Sequence, residues 1–143
     1  MSGEWRRGEY LISTDRSRLN LGIIHDFLST SYWAAGVPED VLRRSVENSL
    51  VFGVYRGKEQ VGFARVVTDY ATFAYLADVF VLEAHRGRGV GTWLIEVVLS
   101  HPELRGLRRW MLATGDAHEL YRKYGFAELA RAETFMEIHT PYR

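Results

Sequence analysis

Hydrophobic positions recur at helical spacing near the N-terminus and at strand spacing beyond it, and their order predicts a mixed α/β domain. Tyr10–Ser13 has the composition of a short strand, and Ser13–Asp15 offers N-caps to a helix that follows. One face of that helix is apolar and consists of Leu19, Ile23, Ile24, Phe27 and Leu28. A second helix is predicted to begin at Pro38, a residue suited to the first helical turn, and to end near Asn48.

The middle of the chain predicts a hairpin and then a strongly apolar strand. Leu50–Tyr55 and Gln60–Thr68 have strand composition, and residues 56–59 between them have turn composition. The next predicted strand, Ala74–Leu82, is apolar at nearly every position except Asp78. Because strands this apolar are normally covered on both faces, we expect the same here.

The last part of the chain predicts alternating helices and strands. Its elements are a helix over Gly89–Ser100 that stops before Pro102, a strand over Arg109–Ala113, a short helix over Ala117–Tyr124 closed by Gly125, and a final strand over Thr134–His139. The pattern does not define the order of the strands in the sheet.

Composition and charge restrict the class of protein. The length of 143 residues has room for one domain, residues 1–143, and the 47% hydrophobic content is that of a globular chain. Eighteen basic and eighteen acidic residues give a net charge of zero, which disfavours nucleic-acid or membrane partners held by charge. The chain has no cysteine, which excludes disulfides and thiolate chemistry, and its five histidines lack metal-ligand spacing. Because the histidine spacing fits no metal site, we expect no bound metal. Since no apolar leader or long apolar run is present, we expect a cytoplasmic protein.

A turn rich in glycine and arginine joins the apolar strand to the next helix. Glycine lets backbone N–H groups approach an anion, and the first N–H groups of a helix have no internal partner, so the turn predicts a phosphate site. The turn lacks the third glycine of the dinucleotide fingerprint, because Thr92 stands there, and the lysine of the NTPase phosphate loop. The alternative is a flexible connection whose arginines face solvent. The sequence of the turn is Arg86-Gly87-Arg88-Gly89-Val90-Gly91-Thr92.

Two motifs in this order carry a family resemblance. The segment from Arg86 to Gly91 matches the Q/R-x-x-G-x-G/A signature of the GNAT superfamily of N-acetyltransferases. Residues 117–126, AHELYRKYGF, are similar to the second family block, A-x-x-L-Y-x-K-x-G-F. The resemblance covers about Leu50 to Phe126. It implies a GNAT-like α/β fold with a mostly antiparallel central sheet flanked by helices, and it implies acetyl-CoA or another acyl-CoA as the acyl donor.

The resemblance also implies which residues hold this cosubstrate. Backbone N–H groups of the apolar strand, at Val79, Phe80 and Val81, would hold the pantetheine arm and the thioester oxygen. Thr114 stands where the family often has an asparagine that contacts pantetheine, and its hydroxyl offers a shorter contact. Ala117 opens the second block. The pyrophosphate would lie on the turn, at Arg86, Gly87, Arg88, Gly89, Val90, Gly91 and Thr92.

Two residues are candidates for the proton transfers that acetylation of an amine requires. Asp78 is the only charged side chain within the apolar strand, and we take it as the acceptor of the amine proton, directly or through water. The alternative is a structural aspartate that caps a backbone group or marks a bulge. Tyr121 occupies the family's tyrosine position and would donate a proton or a hydrogen bond to the departing sulfur. The alternative is a core aromatic beside Leu120 and Tyr124.

Tyr32 and Trp33 follow the first predicted helix, in a region that often forms one wall of the acceptor site in this family. They would contact an apolar or cationic acceptor, and the alternative is packing at a helix end. The resulting hypothesis is an acetyl-CoA-dependent N-acetyltransferase that acts on a primary amine of a small molecule or a protein by direct attack in a ternary complex. A non-catalytic acyl-CoA-binding sensor or interaction module is the alternative. No nucleic-acid or membrane partner is expected, and a homodimer stays open.

Overall fold

Six strands form one sheet in which the spatial order follows the chain. The computed structural model describes residues 3–142. Neighbouring strands are antiparallel from β1 to β5, and β6 runs parallel to β5 at the edge of the sheet. The mixed α/β class and the mostly antiparallel sheet are therefore confirmed. The strands are β1 (Glu4–Arg7), β2 (Tyr10–Ser13), β3 (Leu50–Arg56), β4 (Glu59–Thr68), β5 (Phe73–Val81) and β6 (Arg109–Leu112).

Helices cover both faces of this sheet, as the apolar central strand predicted. They are α1 (Leu21–Leu28), α2 (Glu39–Glu47), α3 (Val90–Leu99) and α4 (His118–Arg122). Helices α1 and α2 pack on one face, with Val51 and Phe63, whereas α3 and α4 pack on the other, with Phe52 and Ala64. The same strands supply both cores because successive side chains point to opposite faces. Among residues 3–142, no helix is long and apolar enough to cross a bilayer.

Strand β5 is irregular where it passes Asp78. The register between β4 and β5 shifts between the pairs Phe63–Phe80 and Arg65–Ala77, so β5 carries one extra residue there. Asp78 adopts φ 57°, in the left-handed region that residues other than glycine rarely occupy. These two features together define a β-bulge.

Strands β5 and β6 separate after a short stretch of pairing. Their ladder runs from the pair Phe73–Arg109 to the pair Leu76–Leu112. Beyond it, β5 pairs with β4 alone, so the edge of residues 77–81 that faces β6 is open. Backbone N–H and C=O groups on an open edge are available to a ligand.

The first helix begins later than the sequence predicted. The expectation that Ser13–Asp15 caps it was wrong, because the cap is Asn20, whose side chain accepts a hydrogen bond from the Ile23 N–H at 3.1 Å. Asp15 instead caps a 3₁₀ turn at Arg16–Arg18. All other predicted elements up to α4 begin and end within about two residues of the observed bounds.

The two ends of the chain differ from the prediction. Strand β1 was missed because three of its residues are charged; as an edge strand it buries mainly Trp5, whose ring centroid lies 6.3 Å from that of Phe52. The final strand predicted over Thr134–His139 was wrong. Ala132–Thr134 forms a 3₁₀ turn, and the residues after it pair with no described strand.

Candidate functional site

A cleft of about 500 Å³ opens where β5 and β6 separate. Its walls come from the loop between α1 and α2, from β5, from the loop after β6, and from α4. These elements are far apart in the chain, and the fold brings them together. Seven of the residues that the sequence singled out line this cleft: Tyr32, Trp33, Asp78, Val79, Thr114, Ala117 and Tyr121.

Two other predicted site residues, Phe80 and Val81, direct their side chains into the core. The Phe80 ring stacks on Phe27 with centroids 4.1 Å apart, and the Val81 side chain belongs to the core on the opposite face. What they offer to a ligand is therefore backbone, since both residues lie on the open stretch of β5. Their role in binding the acyl donor stays a prediction.

The Asp78 carboxylate is held by two neighbours. Arg65 Nε donates to Oδ2 at 2.9 Å, and Trp33 Nε1 donates to Oδ1 at 2.9 Å. Arg65 also donates to the Ser49 hydroxyl at 3.2 Å, which fixes the guanidinium in place. The Asp78 side chain is only 10% exposed, so solvent screens this pair less than a surface pair. Asp78 therefore marks a bulge, as one of the two interpretations expected, while its proton-accepting role stays a prediction.

Tyr121 lines the cleft, and its hydroxyl has no partner among the described residues. The residue is buried, and no hydrogen bond joins its hydroxyl to any of residues 3–142. Burial, and to a smaller extent the nearby Tyr32 and Asp116, raises the pKa of Tyr121 to about 12. The phenol therefore keeps its proton at neutral pH. A protonated, unpartnered phenol in a cleft is suited to donate to a ligand atom.

Tyr32 connects the two loops on either side of the cleft. Its hydroxyl accepts a hydrogen bond from the Gly115 N–H at 2.8 Å and donates to Asp116 Oδ1 at 3.4 Å. A side chain at Gly115 would approach the Tyr32 ring within 3.4 Å, so the loop fits closely against it. The ring of Trp33 meets that of Tyr32 edge-on at 5.1 Å. Both aromatic residues are thus positioned in the cleft wall, and both remain partly exposed.

Thr114 uses its hydroxyl within its own loop. Its Oγ1 accepts hydrogen bonds from the N–H groups of Ala117 at 3.1 Å and Asp116 at 3.3 Å. This arrangement closes the loop before α4, which has no side-chain cap at Ala117 itself. The contact between Thr114 and pantetheine stays a prediction. The two hydrogen bonds show that Thr114 also stabilises the loop before α4.

The glycine-rich turn leaves backbone N–H groups free at the start of α3. Gly87 and Gly89 adopt φ 77° and φ 78°, and a Cβ at either position would meet no atom within 4 Å. Gly89 is the N-cap of α3 and carries no capping side chain, so the first-turn N–H groups lack an acceptor. Free N–H groups beneath open space fit an anion such as a pyrophosphate.

The two arginines of the turn have different surroundings. Arg86 Nε donates to the Val81 carbonyl at 2.8 Å and so ties the turn to the end of β5. Arg88 is exposed, and its Nη1 donates to the Tyr10 hydroxyl at 3.4 Å. Neither arginine forms an ion pair with a described residue, so both leave positive charge beside the turn. Both arginines are exposed.

Behind the turn lies a buried histidine that the sequence did not single out. His85 is 7% exposed, and its Nδ1 lies 3.0 Å from the Tyr10 hydroxyl. Its Nε2 lies 3.6 Å from Glu59 Oε1. The chain of contacts from Glu59 through His85 and Tyr10 ends at Arg88. No local motif joins these residues. Within residues 3–142, no group of three potential ligands is placed to hold a metal ion.

Arg65 is a site residue that sequence reasoning missed although a signal was present. It is the only charged residue between Gln60 and Thr68, as Asp78 is in the next strand, and isolated charges on neighbouring strands tend to pair. His139 and Tyr142, near the C-terminus, also line the cleft. Their local sequence carries no indication of this position.

The chain and its fold have counterparts among known proteins. The family model described as "Acetyltransferase (GNAT) domain" matches residues 47–128, more than half of the chain. The Gibberella zeae protein named "Putative acetyltransferase FG08082" is 37% identical over 142 residues, covering 83% of this chain and 79% of that protein.

Solved structures agree with this assignment. A GNAT-family protein from Xanthomonas campestris pv. campestris has a TM-score of 0.90 at 49% identity, covering 92% of this chain and 94% of its own. A GNAT family acetyltransferase from Elizabethkingia anophelis with acetyl-CoA bound has a TM-score of 0.65 at 16% identity, covering 85% and 78%, and so shares the fold. The resemblance inferred from the two motifs is confirmed: this chain belongs to the GNAT acetyltransferase family.

Proposed function

We propose that this protein is an acetyl-CoA-dependent N-acetyltransferase that transfers the acetyl group directly to a primary amine while both substrates are bound. The observation that carries the proposal is the open edge of β5. This edge leads from the glycine-rich turn to the cleft that contains Asp78 and Tyr121. A donor that binds along it would place its two ends at these two sites.

The donor side of the proposal uses mainly backbone. The first-turn N–H groups of α3, together with Arg88, would hold the pyrophosphate. The open stretch of residues 77–81 would pair with the amides of the pantetheine arm, in the place that β6 leaves. N–H groups of this stretch would also stabilise the negative charge that develops on the thioester oxygen.

The acceptor side uses the aromatic and acidic wall of the cleft. Tyr32 and Trp33 would contact the acceptor, and the exposed Asp116 carboxylate adds negative charge that favours a cationic amine. Asp78 would accept the amine proton directly or through a water molecule, because Arg65 and Trp33 each occupy one lone pair of a different carboxylate oxygen and leave the other lone pairs available. Tyr121 would donate its phenolic proton or a hydrogen bond to the departing sulfur.

A thiol-release assay tests this function with little background, because the protein has no cysteine. We expect calorimetric binding of acetyl-CoA and release of free CoA that depends on an added amine from a panel of small amines and peptides. Binding without amine-dependent release would favour the non-catalytic sensor. A well-folded protein that binds neither CoA nor acetyl-CoA would contradict the proposal.

A pair of glycine variants provides the matched control. Gly89→Asp puts a negative charge where the pyrophosphate is expected, and binding should be lost. Gly106→Asp makes the same local demand, since Gly106 also has a positive φ and a Cβ there would meet no atom within 4 Å, but it lies between α3 and β6, beyond the C-terminal end of α3. It should bind like the wild type.

A further inference from the structure

The guanidinium of Arg65 has a hydrogen-bond donor that the protein leaves unused. Its Nε and Nη1 donate to Asp78 Oδ2 and to the Ser49 hydroxyl, whereas Nη2 forms no hydrogen bond with any of residues 3–142. Of the buried and partly buried residues in this range, only Tyr55 has a fully buried side-chain polar atom without a partner, so Arg65 Nη2 is accessible to solvent. Arg65 lines the cleft, and its side chain is 18% exposed. A molecule bound in the cleft can therefore use this donor, and an anionic oxygen suits it best.

Arg65 and Asp78 together offer both signs of charge to a ligand at one place in the cleft. Each Asp78 oxygen accepts one hydrogen bond, from Trp33 or from Arg65, so lone pairs remain for a ligand. An acceptor whose only charge is its ammonium would use the carboxylate but leave the guanidinium donor without a partner. A molecule that carries an ammonium and a carboxylate on neighbouring atoms satisfies both groups. An α-amino acid is the simplest molecule of this kind.

The part of the cleft wall that comes from α2 and the loop before it is apolar. Its side chains include those of Val37, Val41 and Leu42. Ser45, which also lines the cleft, donates its hydroxyl hydrogen to the Leu42 carbonyl at 2.7 Å and so has no donor to spare. This wall offers no charged group to the rest of the acceptor, and it favours an apolar side chain there.

We propose that the acceptor is a free α-amino acid with an apolar side chain, and that Arg65 selects it by binding its carboxylate. This inference rests on the proposed N-acetyltransferase function, since the α-amine is the group that would be acetylated. The neutral α-nitrogen forms a bond to the acetyl carbon, and the bond from that carbon to sulfur breaks. One proton leaves the nitrogen for Asp78, and the sulfur gains one from Tyr121 or from solvent. The carboxylate is unchanged in this step and serves only to hold the amine beside Asp78.

Matched amines test the inference in the thiol-release assay. Leucine is compared with 3-methylbutylamine, and phenylalanine with 2-phenylethylamine, because the second compound of each pair lacks only the carboxylate. The constant kcat/KM is expressed per unprotonated amine, which corrects for the different degrees of protonation. We expect each amino acid to exceed its counterpart roughly 10- to 100-fold, the worth of one charge-assisted hydrogen bond. Leucinamide, whose carbonyl carries no charge, should react like 3-methylbutylamine.

Arg65→Lys assigns the selectivity to Arg65. Lysine keeps a positive charge beside Asp78 but has no second nitrogen to donate to a carboxylate. The ratio of kcat/KM for leucine to that for 3-methylbutylamine should therefore fall to about 1, and any general loss of activity cancels in this ratio. Trp33→Phe is the control, because it removes the other hydrogen bond to Asp78 and leaves Arg65 untouched. Its ratio should stay within about twofold of the wild-type value.

The outcomes separate this inference from the function on which it rests. Turnover of all the amines, with equal constants for each amino acid and its counterpart, would overturn the inference and leave the N-acetyltransferase function intact. Equal constants for leucine and leucinamide would also overturn it, because a carbonyl would then suffice. A leucine preference that persists in Arg65→Lys would exclude Arg65 as its cause. Failure of every amine to release CoA would contradict the proposed function itself, and this inference with it.

Discussion

Arg65 and Asp78 form an ion pair across two neighbouring strands, with Arg65 Nε 2.9 Å from Asp78 Oδ2, and the β-bulge makes this contact possible. In the ladder Arg65 is paired with Ala77, not with Asp78. The extra residue of the bulge lets Ala77 and Asp78 both line the cleft, whereas successive residues of a regular strand point to opposite faces. The bulge thus places a carboxylate in the cleft and a guanidinium beside it.

Asp78→Asn tests whether this carboxylate accepts the amine proton. The amide keeps the shape and an acceptor for Trp33 but loses the charge. If Asp78 is the base, kcat at neutral pH should fall about 10²–10⁴-fold. The loss should shrink as the assay pH approaches the pKa of the acceptor amine, because solvent then deprotonates the amine. A rate profile measured from neutral to alkaline pH gives the answer.

Trp33→Phe is the companion variant for Asp78. It removes the hydrogen bond to Oδ1 but leaves the carboxylate and its pair with Arg65 intact. If Asp78 is the base, the loss of kcat should shrink at high pH in Asp78→Asn but not in Trp33→Phe. Equal, pH-independent losses in both variants would assign Asp78 to positioning Trp33 alone.

Tyr121→Phe tests the acid role with a change of one atom. We expect kcat to fall about 10²-fold or more with little change in melting temperature, because the hydroxyl has no partner among the described residues. Since the pKa of Tyr121 is raised to about 12, ionisation of this phenol should not reduce the wild-type rate until the pH exceeds about 11. Lost stability together with unchanged kcat would support packing as the role of Tyr121.

Tyr75→Phe is the control for that experiment. Tyr75 lies in β5 and lines the same cleft, but no motif assigns it a proton-transfer role. Its kcat should stay within about twofold of the wild type. A loss as large as that of Tyr121→Phe would show that any phenol removed from the cleft reduces turnover.

Tyr10→Phe tests whether the contacts behind the turn position Arg88. The ring stays, while the hydroxyl that lies between His85 and Arg88 is removed. We expect KM for acetyl-CoA to rise roughly 2- to 10-fold, the worth of one hydrogen bond, with kcat unchanged. Tyr124→Phe removes a hydroxyl that bonds Glu96, on α3, and should change neither constant. Equal KM values for Tyr10→Phe and the wild type would exclude the positioning role.

Most of the correct predictions had local determinants, although the cap of α1, also local, lies at Asn20 and not at Ser13–Asp15. Strands β3 to β5 and helix α3 follow from hydrophobic spacing, and the glycine-rich turn predicts both the N-terminus of α3 and the free N–H groups there. Tyr121 and Asp78 were singled out by a motif and by an isolated charge, and both line the cleft. Such signals depend on a few neighbouring residues, so no knowledge of the sheet is needed.

What sequence reasoning missed depends on pairing between distant segments. The strand order, the pair between Arg65 and Asp78 and the cluster around His85 all arise from neighbours in the sheet, not in the chain. The opposite error occurred in the segment Phe135–Tyr142, where a strand was predicted over part of the segment and none forms. Its composition suits a strand, but a strand exists only with a partner edge, and composition does not reveal whether one is present.

Asp69, in the turn between β4 and β5, predicts a pH dependence of stability. Its carboxylate accepts hydrogen bonds from three backbone N–H groups, those of Ala71, Thr72 and Phe73, and from the Thr72 hydroxyl. The hydrogen bond from the Thr72 N–H, then that from Ala71, holds the pKa of Asp69 well below its ordinary value of 3.8. A carboxyl with a lowered pKa stabilises the fold fully above its unfolded value and progressively less as the pH falls below it.

Asp69→Asn should therefore lower the melting temperature at neutral pH, and the difference from the wild type should narrow as the pH falls below about 4. Thermal unfolding followed by circular dichroism at several pH values measures this. Asp26→Asn is the control, because the Asp26 side chain is exposed on α1 and accepts no hydrogen bond from a described residue; its effect should be small at every pH. A difference between Asp69→Asn and the wild type that stays constant down to the lowest pH would mean that the turn depends on the shape of the side chain and not on its charge.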